Sequence, residues 1–165
     1  MIITILPSSA NFHAIAYNEM KVEKGQATLL EVQNIDGLRP ETYTAEKLQW
    51  YFLQYSARNT YIKKLQFHVA VSCKGTEYSH QQLLDIAHRY LKEMGYADDG
   101  QPLLVYAHHD TANNHIHIIT SRVAPDGHKI DHHHEKRRSR AVTLEIMKEY
   151  TGQKQEPEVN DIAKD

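Results

Sequence analysis

Ten residues in the last third of the chain have the types and spacing for chemistry: His108-His109-Asp110-Thr111-Ala112-Asn113-Asn114-His115-Ile116-His117, an H-x-D-x-x-N-x-H-x-H pattern. Neutral imidazole is the commonest side-chain metal ligand. A packed core has no use for so many polar rings unless something binds them. In a strand, residues i and i+2 share a face, so His115 and His117 project together while Ile116 points away. A hairpin returns the end of the preceding strand alongside them, and His108 sits at that end. Three protein ligands leave coordination positions open, the pattern of a catalytic rather than a structural site. The set suits zinc, nickel or iron better than magnesium. Asp110 is placed to orient a ligating imidazole or to accept a proton, and Asn113 to hold the turn. His68 lies in an expected strand and reads as a hydrogen-bonded core histidine. The run His132-His133-His134 falls in a charged, turn-rich segment and reads as surface.

The elements that position these residues follow from periodicity and punctuation. Met1–Leu6 is a β-branched run broken by Pro7-Ser8-Ser9. Phe12, Ile15, Ala16 and Met20 recur at helical spacing, and Gly25 stops that helix. The stretch containing Gly37 and Pro40 reads as loop. Thr44 caps a helix with Leu48, Tyr51, Phe52 and Tyr55 on its apolar face. Leu65–Ser72 reads as a strand. Ser79 and Gln82 form a capping box for a helix ending at Gly95. Leu103–Ala107 and His115–Val123 form the hairpin, Asp126-Gly127 is a turn, and a last helix spans Ser139–Tyr150, closed by Gly152. Short turns between strands favour antiparallel pairing, and interspersed helices favour one helix-covered face. The fold class is therefore α+β, a central antiparallel sheet covered by helices.

The chain has 165 residues, 41% hydrophobic and 24% charged, which suits one globular domain. No apolar run spans a membrane and no secretion signal opens the chain, so no membrane partner is expected. The single cysteine, Cys73, forbids an intramolecular disulfide and fits a reducing cytoplasm, with the thiol at least half-buried. A formal net charge of -2 is unlike a duplex-DNA binder. Nucleic-acid contact would need local patches, of which Lys136-Arg137-Arg138-Ser139-Arg140 is the largest and Lys21 with Lys24 a smaller one.

The ten-residue segment resembles the third motif of conjugative relaxases, the mobilization nucleases of the HUH endonuclease superfamily. Asn11-Phe12-His13-Ala14, followed by Tyr17-Asn18-Glu19-Met20-Lys21-Val22-Glu23-Lys24-Gly25, is similar to the tyrosine-bearing first motif of Bacteroides-type mobilization proteins. Val123-Ala124-Pro125-Asp126-Gly127, followed by Glu135, Arg137, Arg138 and Ser139, looks like the same group. The resemblance runs from about Ser8 to Gly152. It implies a nuclease domain over residues 1–152, with residues 153–165 a polar, disordered tail or the start of a linker.

What the resemblance implies is transesterification on single-stranded DNA at an origin of transfer, for plasmid or transposon mobilization in the bacterial cytoplasm. Tyr17 would be the nucleophile, giving a 5′-phosphotyrosine bond. His108, His115 and His117 would hold a divalent ion, manganese or magnesium in the family, with zinc or nickel able to substitute in vitro. No small-molecule cofactor is implied, and accessory relaxosome proteins are. Asp110 would orient His108 or help to deprotonate the tyrosine, and Lys21, Lys24, Arg122, Arg137 and Arg138 would contact DNA. Tyr43, Tyr51, Tyr55 and Tyr61 compete with Tyr17 for the nucleophile's place. Rival readings are a rolling-circle replication initiator, a small metal-dependent hydrolase using bound hydroxide, and a non-catalytic binding module.

Overall fold

The computed structural model describes residues 1–164, with side chains through Thr151; the tail expected at 153–165 lies outside the residues whose side chains are described. In chain order the elements are β1 (Ile2–Ile5), α1 (His13–Glu23), β2 (Ala27–Gln33), α2 (Ala45–Ser56), β3 (Gln66–Ser72), α3 (His80–Met94), β4 (Leu103–His108), β5 (His115–Ser121) and α4 (Glu135–Lys164). The strands form one sheet in the order β1-β3-β5-β4-β2. Every neighbouring pair is antiparallel. No helix among the described residues is long and apolar enough to cross a membrane.

Strand alternation divides the core in two. Phe67, Val69 and Val71 of β3, Val105 and Ala107 of β4, and Ile116 and Ile118 of β5 pack with residues of α3 and with Ile146 of α4. Leu104, Tyr106 and Ile119 point the other way, against Phe12, Ile15, Leu48 and Phe52, which belong to or border α1 and α2. Both faces are thus covered, where one was expected. The run β4, buried at every position, carries that information: a strand with no exposed alternate residue has a helix on each side.

Local chemistry sets the helix starts. Thr44 accepts a hydrogen bond from the Lys47 N–H at 3.1 Å. Ser79 and Gln82 satisfy each other's backbone N–H groups at 3.1 and 2.9 Å, closing the capping box expected for α3. Gly95 ends that helix at φ 91°, in the left-handed region open to glycine. The start of α1 is different. Phe12 precedes it at φ 57°, an unfavourable conformation for a bulky residue. Its ring is fully buried, 5.1 Å from that of Phe52, and burial of a phenylalanine contributes about 2–3 kcal/mol. The free N–H groups of the first turn are taken by Ser9 Oγ, from His13 at 3.0 Å, and by the buried Gln66 Oε1, from Ala14 at 2.9 Å. A side chain of β3 therefore fixes α1, and with it Tyr17, against the sheet.

Two other elements differ from expectation. β2 lies where a loop was expected. A register shift between Leu29 and Glu31 interrupts its pairing with β4, and such an irregularity breaks the period-2 pattern that marks a strand. The last helix begins at Glu135, four residues ahead of Ser139, and runs Glu135–Lys164 rather than closing at Gly152.

Candidate metal centre and nuclease site

The last residue of β4, His108, pairs directly with the first residue of β5, His115, and Tyr106 pairs with His117. Alternation puts all three imidazoles on the α1 face of the sheet. The rings of His108 and His117 stack with centroids 4.1 Å apart, and His115 lies 4.8 Å from His108. One ligand atom from each of the three lies within 4.8 Å of the others. The hairpin loop is clamped to the segment after β3: Asn113 Oδ1 accepts from the Gly75 N–H at 2.8 Å, and Asn114 donates to the Tyr78 carbonyl at 2.9 Å.

Each imidazole has one nitrogen occupied. His108 Nε2 is 2.6 Å from Asn18 Oδ1, which can only accept, so His108 carries its proton there and leaves Nδ1 free. His115 Nδ1 donates to the Asn113 carbonyl at 3.0 Å, leaving Nε2. His117 Nδ1 meets His68 Nε2 at 2.8 Å, again leaving Nε2. Burial, reinforced by the neighbouring imidazoles, lowers His117 to about 3, and lowers His68 and His108 to about 4 each. His68, His108 and His117 are therefore neutral at pH 7, and the free nitrogens of His108, His115 and His117 face one another. Three oriented nitrogen donors of this kind fit a divalent transition ion, with further positions open to oxygen ligands.

The helix α1 brings the remaining groups. Asn18, fully buried, also donates to the Ala14 carbonyl at 2.9 Å, which locks its amide toward His108. Tyr17, next to it, is 42% exposed. It lines a cleft of about 250 Å³ together with Ser8, His13, Gln66 and His68. Tyr17 thus shares this cleft with His68, whose Nε2 is bonded to His117. Lys21, one turn on, lies 5.6 Å from the Tyr17 ring centroid and binds Asp110 Oδ2 at 2.6 Å. That contact raises the lysine above its ordinary value and lowers the carboxyl below its own. The other oxygen, Asp110 Oδ1, lies 3.8 Å from His108 Nδ1 and 3.9 Å from His115 Nε2, the nitrogens left free. Asp110 therefore faces the ligand side of the cluster, and Asn18 rather than Asp110 orients His108.

The other expected contact residues separate. Lys24 caps the C-terminus of α1 and is exposed. Arg122 is 9% exposed and its guanidinium forks onto Glu135, with both bonds at 3.0 Å, so its charge is already paired within the protein. Arg137 and Arg138 open α4, which packs with the core on the face opposite the histidines. Arg138 also donates to the carbonyls of Asp131 and His133. His132, His133 and His134 are exposed, and Cys73 is buried. Asn18 and Gln66 were not anticipated from sequence. The available signal for Asn18 was a polar residue three positions after Ile15 and four before Val22, on the buried stripe of the helix.

No curated protein and no solved structure gives a match to the chain. A family model does: the relaxase family, described as MobA/VirD2-like, nuclease domain, matches residues 17–151. That span holds the histidine cluster, the α1 residues facing it and all five strands but β1, and the chain belongs to the relaxase family as a nuclease domain of the MobA/VirD2-like kind.

Proposed function

We propose that residues 1–152 nick single-stranded DNA at an origin of transfer by tyrosine transesterification, in the bacterial cytoplasm and with accessory relaxosome proteins. The observation that carries this reading is the arrangement of His108, His115 and His117, each with one occupied and one free nitrogen, and joined through His68 to the cleft lined by Tyr17. Among the competing tyrosines, Tyr51 donates its hydroxyl to the Asn34 carbonyl. Tyr55 is buried, bonded to the Val123 carbonyl and pushed up to about 12 by desolvation. Tyr17 combines exposure with a cleft shared with His68, the partner of His117.

In this reading the Tyr17 oxygen attacks the scissile phosphorus, the bond to the 3′-oxygen breaks, and a 3′-hydroxyl leaves. Phenol is a poor nucleophile until it loses its proton. Asp110, held ionised by Lys21, is a weak base for a phenol, and its better role is to fix Lys21 between the helix and the hairpin. A divalent ion held by the three histidines, manganese or magnesium by family and zinc or nickel by donor type, would supply positive charge to the phosphate oxygens. His68 and Asn18 keep His117 and His108 in the rotamers that present their free nitrogens.

The test is a gel assay with end-labelled single-stranded DNA from the transfer region of the chain's own element, with manganese or with EDTA. A covalent protein–DNA adduct that requires both metal and Tyr17 is the expected result. Free cleaved DNA from Tyr17→Phe at the wild-type rate would replace this reading with the hydroxide-based hydrolase.

A further inference from the structure

The cleft that holds Tyr17 does not end at Gln66. Ser8 lines it and also lines a second, larger cleft of about 670 Å³. The second cleft is walled by Tyr61, Lys63, Lys64 and Lys129, with Asn59 and the paired Arg122. None of its described lining residues is acidic. Lys63, Lys64 and Lys129 are exposed, and Tyr61 is 92% exposed. The peptide following Asn59 is pinned, with Asn59 Oδ1 accepting from the Tyr61 N–H at 3.0 Å and Asn59 Nδ2 donating to the Gly127 carbonyl at 3.0 Å. A bulky aromatic held in solvent on a fixed loop, beside three cations, matches the chemistry of single-stranded nucleic acid. The ring offers a stacking face and the ammonium groups meet phosphates.

We infer that this second cleft is the track for the strand flanking the scissile phosphate, with Tyr61 stacking on a base and Lys63, Lys64 and Lys129 contacting the backbone. The inference rests on the nicking reading above, since that reading supplies the substrate. The two clefts meet at Ser8, whose hydroxyl donates to the Gln66 carbonyl at 2.5 Å. His117 opposes Ala70 on β3. Ala70 lies four steps along β3 from Gln66, about 13 Å at about 3.3 Å per residue. A strand whose phosphate sits at Tyr17 therefore needs only a short reach past Ser8 to enter the basic cleft. This also accounts for DNA binding by a chain of net charge -2, because the positive charge is gathered where the strand runs.

The test measures binding of fluorescein-labelled oligothymidylate, twenty nucleotides long (~20, enough to cover one to a few binding sites), by anisotropy over a range of salt. The triple variant Lys63→Ala/Lys64→Ala/Lys129→Ala is expected to flatten the dependence of log K on log salt by about 2. Tyr61→Ala is expected to weaken binding by about fivefold or more while Tyr61→Phe retains it. A control, Lys92→Ala/Lys148→Ala, removes two exposed cations elsewhere and is expected to leave the slope unchanged. An unchanged slope in the triple variant, an equal loss per lysine in the control, or wild-type affinity in Tyr61→Ala would each overturn the track. The Tyr17 adduct is read separately. An adduct formed normally with groove variants that bind normally overturns the track alone. Groove-dependent binding in a chain that forms no adduct overturns the nicking reading alone.

Discussion

Asn18 is the residue whose replacement most cleanly separates packing from site geometry. Its amide is fully buried, and its Oδ1 is the partner of His108 Nε2–H at 2.6 Å. Asn18→Ala removes that acceptor and leaves a buried N–H unpaired, a cost of about 1–3 kcal/mol. It also frees the His108 ring to rotate, so that Nδ1 no longer faces the free nitrogens of His115 and His117. Loss of such an orienting partner lowers metal affinity about 10–100-fold. Two measurements follow. Urea unfolding of the metal-free protein is expected to show the stability loss, and calorimetric titration with manganese is expected to show the affinity loss beyond it. Asn18→Asp keeps an acceptor toward His108 and is expected to restore metal affinity over Asn18→Ala. A full stability loss with unchanged manganese affinity would refute the reasoning, because Asn18 would then be a packing residue only.

Other consequences are equally direct. His68, His108 and His117 titrate in the folded chain at about 4, 4 and 3, below the 6.5 of the unfolded chain. Between those values the unfolded chain holds protons the folded chain lacks, so stability is full above pH 6.5 and is lost as the pH falls toward 4. The slope of metal-free unfolding free energy against pH is expected to reach about 1.4 kcal/mol per pH unit for each proton taken up; a flat profile over that window contradicts it. Arg122→Met strands the Glu135 carboxylate, whose side chain is 10% exposed, and is expected to cost about 3 kcal/mol in denaturant unfolding. Arg122→Met/Glu135→Leu is expected to recover most of that, whereas a cost under about 1 kcal/mol for the single variant would show the pair to be dispensable. Ser79→Ala removes half of the capping box on α3 and is expected to cost about 1 kcal/mol by the same measurement; no change would mean that the box is redundant.

The parts of the fold that were legible in sequence are those fixed by local chemistry. The Ser79–Gln82 box, the Thr44 cap and the Gly95 stop act over a few residues, so the sequence displays them. The H-x-H spacing of His115 and His117 is a strand property and needed only the hairpin to bring His108 opposite. What stayed hidden depends on distant chain. β2 lost its alternation to the shift between Leu29 and Glu31, and only its pairing with β4 defines it. The second helical layer follows from α1 and α2 folding onto Leu104, Tyr106 and Ile119. His68 and Asn18 gain their meaning from partners 49 and 90 residues away. Arg122 reads in sequence as a free cation able to meet a phosphate, yet Glu135, thirteen residues on, folds back to pair its charge.

The central claim is that Tyr17 and the three histidines form one site for strand transfer. The most direct measurement is mass spectrometry of the covalent species trapped with manganese and single-stranded transfer-region DNA, after trypsin and nuclease digestion. The account predicts a nucleotide phosphoryl group on the peptide ending at Lys21, attached at Tyr17, and none when EDTA is present. A phosphoryl group on Tyr61 or another tyrosine, or cleaved DNA with no modified peptide, would contradict it.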